Sequence, residues 1–122
     1  MKLTLESRNR HLIRGYDTGE VRINEKIIQH NCLISAEQIM PWNAAAELKL
    51  EDIKPVLAMS PEVVVLGMSN SNQHPSAAIY GAFLERGIGF EVMDIGAACR
   101  TFNILLGEDR KVVAALLLQD LK

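Results

Sequence analysis

Between Glu62 and Leu118 the chain reads strand, polar loop, helix, strand, helix, strand with almost no residue to spare. EVVVLG is a continuous apolar run, too short for a helix and too rich in valine to favour one. After the loop MSNSNQH, Pro75 stands where a first helical turn tolerates proline, and Ser76 to Arg86 carries apolar residues at Ile79, Tyr80, Phe83 and Leu84. Gly87 is placed to end that helix. GFEVMD reads as a second strand, Ile95 to Leu106 as a second amphipathic helix, and VVAALLL as a third strand. Two consecutive crossovers of this kind imply parallel pairing. The expected fold class is therefore α/β, a three-layer arrangement in which a parallel β-α-β-α-β unit places helices on both faces of a central mixed sheet.

Strand composition orders that sheet. VVVLG and VVAALLL suit central strands covered on both faces, whereas GFEVMD carries Gly89 and Glu91 and suits the periphery. Placing Glu62 to Gly67 between the other two reverses the direction of winding. Right-handed crossovers then put the long helices on opposite faces and open a topological switch point beside the central strand, where ligands of open α/β sheets bind. Gly67, Met68, Ser69, Asn70 and Asn72 are the candidate ligand-contacting residues of that crevice, with Ser71 between them.

The part before Glu62 has α+β character. Leu3 and Leu5 alternate with polar neighbours, His11 to Tyr16 is extended in character, and Asp17-Thr18-Gly19 is turn chemistry. Val21-Arg22-Ile23 alternates as a half-buried strand should, and Lys26 to Ser35 contains Ile27, Ile28, Cys32, Leu33 and Ile34. These segments predict an antiparallel meander contributing strands to the central sheet. Pro41-Trp42-Asn43 interrupts any helix, a short helix begins near Asp52 with Pro55 in its first turn, and Ser60-Pro61 closes it. No internal repeat or linker divides residues 1–122, so a single domain is expected, large enough to bury roughly two-thirds of its unfolded surface.

Charge and motifs narrow the function. A formal net charge of −2 argues against general nucleic-acid binding, which needs a basic excess. No apolar run approaches the ~20 residues that span a bilayer. The start MKLTLESRNRHL lacks the apolar core of a secretory signal, which predicts a cytoplasmic protein with Cys32 and Cys99 as free thiols. The loop after EVVVLG matches neither G-x-G-x-x-G nor a Walker A loop, and His11, His30 and His74 belong to no HExxH pattern. Ser69 lacks one of the two glycines of a nucleophile elbow. No catalytic residue, cofactor or metal site is expected.

Ile95, Ala98, Phe102 and Leu106 form the apolar stripe of the second long helix, and Cys99 on its shoulder reads as a small buried hydrophobe. Arg8, Arg10 and Arg14 with Lys2 make the N-terminal segment locally basic, which reads as a solvated strand face, with a partner contact as the alternative. Arg100 and Ile104, four apart, share the face opposite the stripe. Either the N-terminal segment covers Ile104 or it is exposed beside an arginine, a pairing enriched at interfaces. This pair is the candidate partner-binding site.

Trp42 after CLISAEQIMP, the strand EVVVLG followed by a turn, and LERGIGFEVMDIGAACRTFNILLGEDRKVVAALL resemble the family known as domain of unknown function 498. The resemblance runs from about Val21 to Leu118. Its most specific pieces are Ala98-Cys99-Arg100-Thr101-Phe102-Asn103 and Glu108-Asp109-Arg110. Where many members have Gly-Thr-Gly after the central strand this chain has Gly67-Met68-Ser69, which argues against phosphate binding at that turn. Phe102 stands where Tyr is usual. The family includes a mitochondrial complex I assembly factor and an adipogenesis-associated relative. The resemblance thus implies a non-catalytic binding module that assists assembly of a membrane-bound respiratory complex through a protein partner. The alternative is a small-ligand-binding protein or small enzyme using the crevice, with Ser69, Asn70 or Cys99 as reacting groups.

Overall fold

Two strands in which every side chain is buried organise the molecule. The computed structural model describes residues 10–45, 47–69 and 74–119. Strands β1 (Ile13–Asp17), β2 (Glu20–Ile23) and β3 (Lys26–Ile28) form an antiparallel sheet. Strands β4 (Cys32–Ile34), β5 (Ile39–Pro41), β6 (Val63–Met68), β7 (Gly89–Asp94) and β8 (Val112–Leu117) form a mixed sheet in the order β5-β4-β8-β6-β7. A 3₁₀ turn at Leu50–Ile53 leads into α1 (Lys54–Ala58), followed by α2 (Ala77–Glu85) and α3 (Ile95–Gly107).

Strand β6 pairs in parallel with β7 on one side and β8 on the other along its full length. It is the central crossover strand that the apolar run predicts, and all its residues, like those of β8, are buried. Alternation then divides the core. Val63, Val65, Val112, Ala114 and Leu116 meet Ala98, Cys99, Phe102 and Leu106 of α3. Val64, Leu66, Val113, Ala115 and Leu117 meet Ile79 and Phe83 of α2, with Trp42, Ile53 and Val56. The two long helices lie on opposite faces, as expected. Phe83 and Phe102, one on each side of the sheet, are fully buried, and burial of each contributes about 1.5–3 kcal/mol.

Four details differ from the sequence reading. The N-terminal strands do not all join the central sheet: β1 to β3 form a meander of their own, and the apolar stretch from Lys26 to Ser35 breaks into β3 and β4, which belong to different sheets. The break falls at buried Asn31, whose carbonyl accepts the Trp42 N–H and whose side-chain Nδ2 donates to Ala44 O at 2.7 Å. Pro41 does more than interrupt, since it ends edge strand β5, where its missing N–H faces no partner strand. Pro75 precedes the N-cap Ser76 instead of lying in the first turn. Finally, Ile79 and Phe83 are buried while Tyr80 and Leu84, one step around α2, are exposed. Leu3 and Leu5 lie outside the described residues.

Gly67 sets how close α3 can come. A Cβ there would stand 2.8 Å from Leu116 Cδ2 and 2.9 Å from Ala98 Cβ, and the latter cannot swing away because it sits directly on the helix backbone. Gly67→Ala should lower stability by about 1–3 kcal/mol through overpacking. Gly81, in α2, has nothing within 4 Å of its would-be Cβ, so Gly81→Ala should raise stability by about 0.5–1 kcal/mol. Urea denaturation of the two variants checks both, and the opposite signs separate packing from helix propensity.

Candidate functional site: the switch-point cleft and the outer face of α3

Asp94 ends β7 and caps α3, its carboxylate accepting the Ala97 N–H at 2.8 Å. Two residues on, Gly96 is required by a neighbour from the meander: a Cβ there would stand 2.5 Å from the Tyr16 hydroxyl oxygen. The Tyr16 ring therefore lies on the first turn of α3, and its hydroxyl accepts a hydrogen bond from Arg100 Nη1 at 3.2 Å. Asn103 grips the same strand in both directions, accepting the Ile13 N–H at 3.0 Å and donating to the Ile13 carbonyl at 2.8 Å. At the far end, Arg10 donates to Leu106 O at 2.8 Å and pairs with Asp109, satisfying a terminal helix carbonyl. Arg10 is thus a helix clamp, not part of a solvated strand face. Arg14 is exposed, and Lys2 and Arg8 lie outside the described residues.

A cleft of about 710 Å³ opens where the C-terminal ends of β6, β7 and β8 face the β1–β2 turn and the start of α3. This is the switch point that the strand order predicts, and the volume is in the range of small-molecule sites. Gly67 is buried beneath α3. Met68 lines the cleft from below while packing into the α2-side core, and Ser69 is exposed at the rim. Asn70, Ser71 and Asn72 lie outside the described residues.

The polar groups around the cleft are largely engaged in holding it together. Asp94 caps α3, and Asp17 Oδ1 accepts the Thr18 N–H at 2.7 Å. Gln119 Nε2 donates to Gly19 O at 2.9 Å and to Gln29 O at 2.8 Å, tying the end of β8 to the meander, while its backbone N–H donates to Asn31 Oδ1. Among the described residues no three His, Cys, Asp or Glu side chains group to hold a metal ion. A second cleft, of about 500 Å³, opens at the opposite end of β8 between α1 and the β4–β5 turn.

Cys99 is buried with Cys32 in the α3-side core, and both are free thiols. Burial pushes the Cys99 thiol up to about 11, the nearby Arg100 guanidinium only partly opposing it. Burial, with Cys99 adding, pushes the Cys32 thiol up to about 12. A reactive thiolate needs the reverse environment. On the outer face of α3, Ile104 is 61% exposed, one helical turn from exposed Arg100. Among the described residues the meander lies alongside this pair without covering it.

Sequence reasoning missed Tyr16, Gly96, Asn103 and Gln119. Only the helix start was readable, from an aspartate immediately before an apolar helical pattern. The Ile13–Asn103 bridge joins residues 90 positions apart and has no local signal.

An open α/β sheet with a cleft at its winding reversal and a meander clamped on one crossover helix defines the class. The family described as protein of unknown function (DUF498/DUF598) matches residues 13–117, and the chain belongs to it. NADH dehydrogenase (ubiquinone) 1 alpha subcomplex assembly factor 3 of Danio rerio is 30% identical over 110 residues, covering 87% of this chain and 63% of its own length. This chain therefore spans less than two-thirds of that relative. An uncharacterized protein of Rhodobacter capsulatus is 33% identical over 107 residues, covering 86% of this chain and 82% of its own. The NMR structure of a Xanthomonas campestris protein superimposes with a TM-score of 0.79 at 31% identity, over 92% of this chain and 87% of that one. No helix among the described residues is long and apolar enough to cross a membrane.

The raised thiols make alkaline pH informative. Above the ordinary thiol value of 9.0 the unfolded chain loses protons that the folded chain keeps, so stability falls as pH rises from about 9 through 11 to 12. Replacing both residues, Cys32→Ala and Cys99→Ala, should flatten that part of the denaturation-versus-pH profile. An unchanged slope would mean that the thiols titrate normally in the folded protein.

Proposed function

We propose that the chain is a non-catalytic binding module that assists assembly of a respiratory complex, docking on a protein partner through the outer face of α3. The observation that carries this reading is Ile104, 61% exposed and one turn from Arg100, on a helix fixed by the sheet on one side and clamped to the meander on the other. Arginine beside exposed apolar surface is a favourable centre for a protein interface, and a rigid platform spares the ordering cost of binding. Tyr16, about half exposed and bonded to Arg100, extends the same surface with an aromatic ring. The assembly-factor name of the Danio rerio relative supports the kind of partner, a component of an NADH dehydrogenase. Operation in the cytoplasm belongs to the same proposal.

The switch-point cleft supports a second reading, a small-ligand site lined by Met68 and Ser69 with Asp94 and Gln119. Its volume favours it. The engagement of Asp17, Asp94 and Gln119 in structural hydrogen bonds leaves fewer convergent polar groups for a ligand, which ranks it second.

The double variant Arg100→Glu, Ile104→Ser separates them. Both side chains are exposed, and the variant gives up only the Arg100–Tyr16 hydrogen bond while the Asn103 and Arg10 contacts to the meander remain, so stability should fall by no more than about 1.5 kcal/mol. Wild-type protein purified from its own cells should carry NADH dehydrogenase subunits or assembly intermediates, and the folded double variant should lose them. Retention at unchanged yield would move recognition elsewhere, with the cleft next in line.

A further inference from the structure

We infer that β7 is a self-pairing edge, through which two copies of the chain join their central sheets about a two-fold axis. The two edges of the mixed sheet are unlike. At one end β5 is three residues long and finishes in Pro41, a common protection against further pairing. At the other, β7 is six residues long, in unbroken register with β6, and has no proline, lysine or bulge. Among the described residues nothing pairs with its outer side.

The hydrogen-bond phase of that edge follows from one contact. Gly89 N–H donates to Glu62 O across the β6 side at 3.0 Å, so by alternation Glu91 and Met93 also face β6. Phe90, Val92 and Asp94 then direct their N–H and C=O groups outward. A second β7 running antiparallel must match outward residues with outward residues, which permits few symmetric registers. Centring on Glu91 sets two carboxylates directly opposite, a like-charge pair that opposes assembly. Centring on Met93 runs Phe90 past the end of the partner strand. Centring on Val92 pairs Val92 with its counterpart and Phe90 with Asp94, uses all three outward residues, and places Glu91 opposite Met93.

Side chains on α2 favour the same arrangement. The Tyr80 ring meets Phe90 of the edge strand edge-on, with centroids 5.2 Å apart, so it lies on the β7 flank of the helix. Leu84, one turn further on, shares that face and is 79% exposed. A two-fold axis normal to the sheet keeps both α2 helices on one face and brings their Tyr80 and Leu84 side chains towards each other. The occupant is thus a second copy, because one symmetric register satisfies the backbone, avoids the carboxylate clash and covers the apolar flank.

Sedimentation of the full-length chain under reducing conditions, over a series reaching high micromolar concentration, tests the inference. A reversible dimer is expected. Leu84→Asp should weaken it at least ~10-fold without changing the thermal melt of the dilute monomer, whereas Ile27→Ser, at an exposed site on the meander, should leave it intact. Hydrogen exchange provides a check free of substitutions: the amides of Phe90, Val92 and Asp94 should gain protection with concentration while amides elsewhere on the surface do not. A wild-type monomer throughout, including one that captures a strand of some other protein, overturns the inference. So does a dimer indifferent to Leu84→Asp or lacking concentration-dependent protection at those amides.

Discussion

The close approach of α3 to the β6–β8 pair is the constraint on which the rest of the structure depends. It exists because Gly67 on the strand and Ala98 on the helix are both minimal, leaving room for Leu116 and Ile95 to close over the gap. Phe102 and Leu106 can then bury completely, and the N-terminus of α3 is fixed at the switch point. The cleft, the Tyr16–Arg100 contact and the exposure of Ile104 all follow from where that helix lies. A larger residue at position 67 would move the helix and every feature built on it.

The two faces of the sheet are completed differently. On the α2 side, the long segment through Trp42 and the 3₁₀ turn fills the layer, with Trp42 Nε1 donating to Asp52 O at 2.8 Å. On the α3 side the meander completes it, placing Ile13, Val21 and Ile23 in the same core as Phe102. Hydrophobic burial supplies the attraction, but it is non-directional and would tolerate sliding. The hydrogen bonds of Asn103 to Ile13, of Arg10 to Leu106 and of Arg100 to Tyr16 fix the position of the meander along the helix.

What the sequence disclosed was whatever the chain decides locally or through its apolar pattern. VVVLG and VVAALLL announced strands covered on both faces, and Gly89 with Glu91 announced an edge, so strand order and helix sides followed. The separate meander did not, because Ile27, Ile28, Cys32, Leu33 and Ile34 look like one apolar stretch, and the break at Asn31 depends on partners at Ala44 and Gln119. Periodicity grouped Ile79, Tyr80, Phe83 and Leu84 as the apolar positions of one helix without separating the buried pair from the exposed one; nine residues of helix crossing an edge strand can cover only one flank. Of the candidate site, Met68, Ser69, Arg100 and Ile104 were legible as positions at the end of a strand and on the outside of a helix. Tyr16 and Gly96 were not, since their contact joins the first strand to the last helix.

The proposed self-pairing and the proposed partner face use different sides of the sheet, and this has a geometric consequence. An axis normal to the sheet keeps like faces together, so a pair joined along β7 would present both α3 outer faces in one direction. Each copy would offer its own Tyr16, Arg100 and Ile104 surface, leaving the α2 flanks to hold the pair together. Two modest docking surfaces on a rigid frame act at high effective concentration once the first is engaged, provided the partner offers two sites at the matching spacing. Under the proposed function, a surface centred on one exposed isoleucine would thereby hold an assembly intermediate firmly yet release it when either contact is lost.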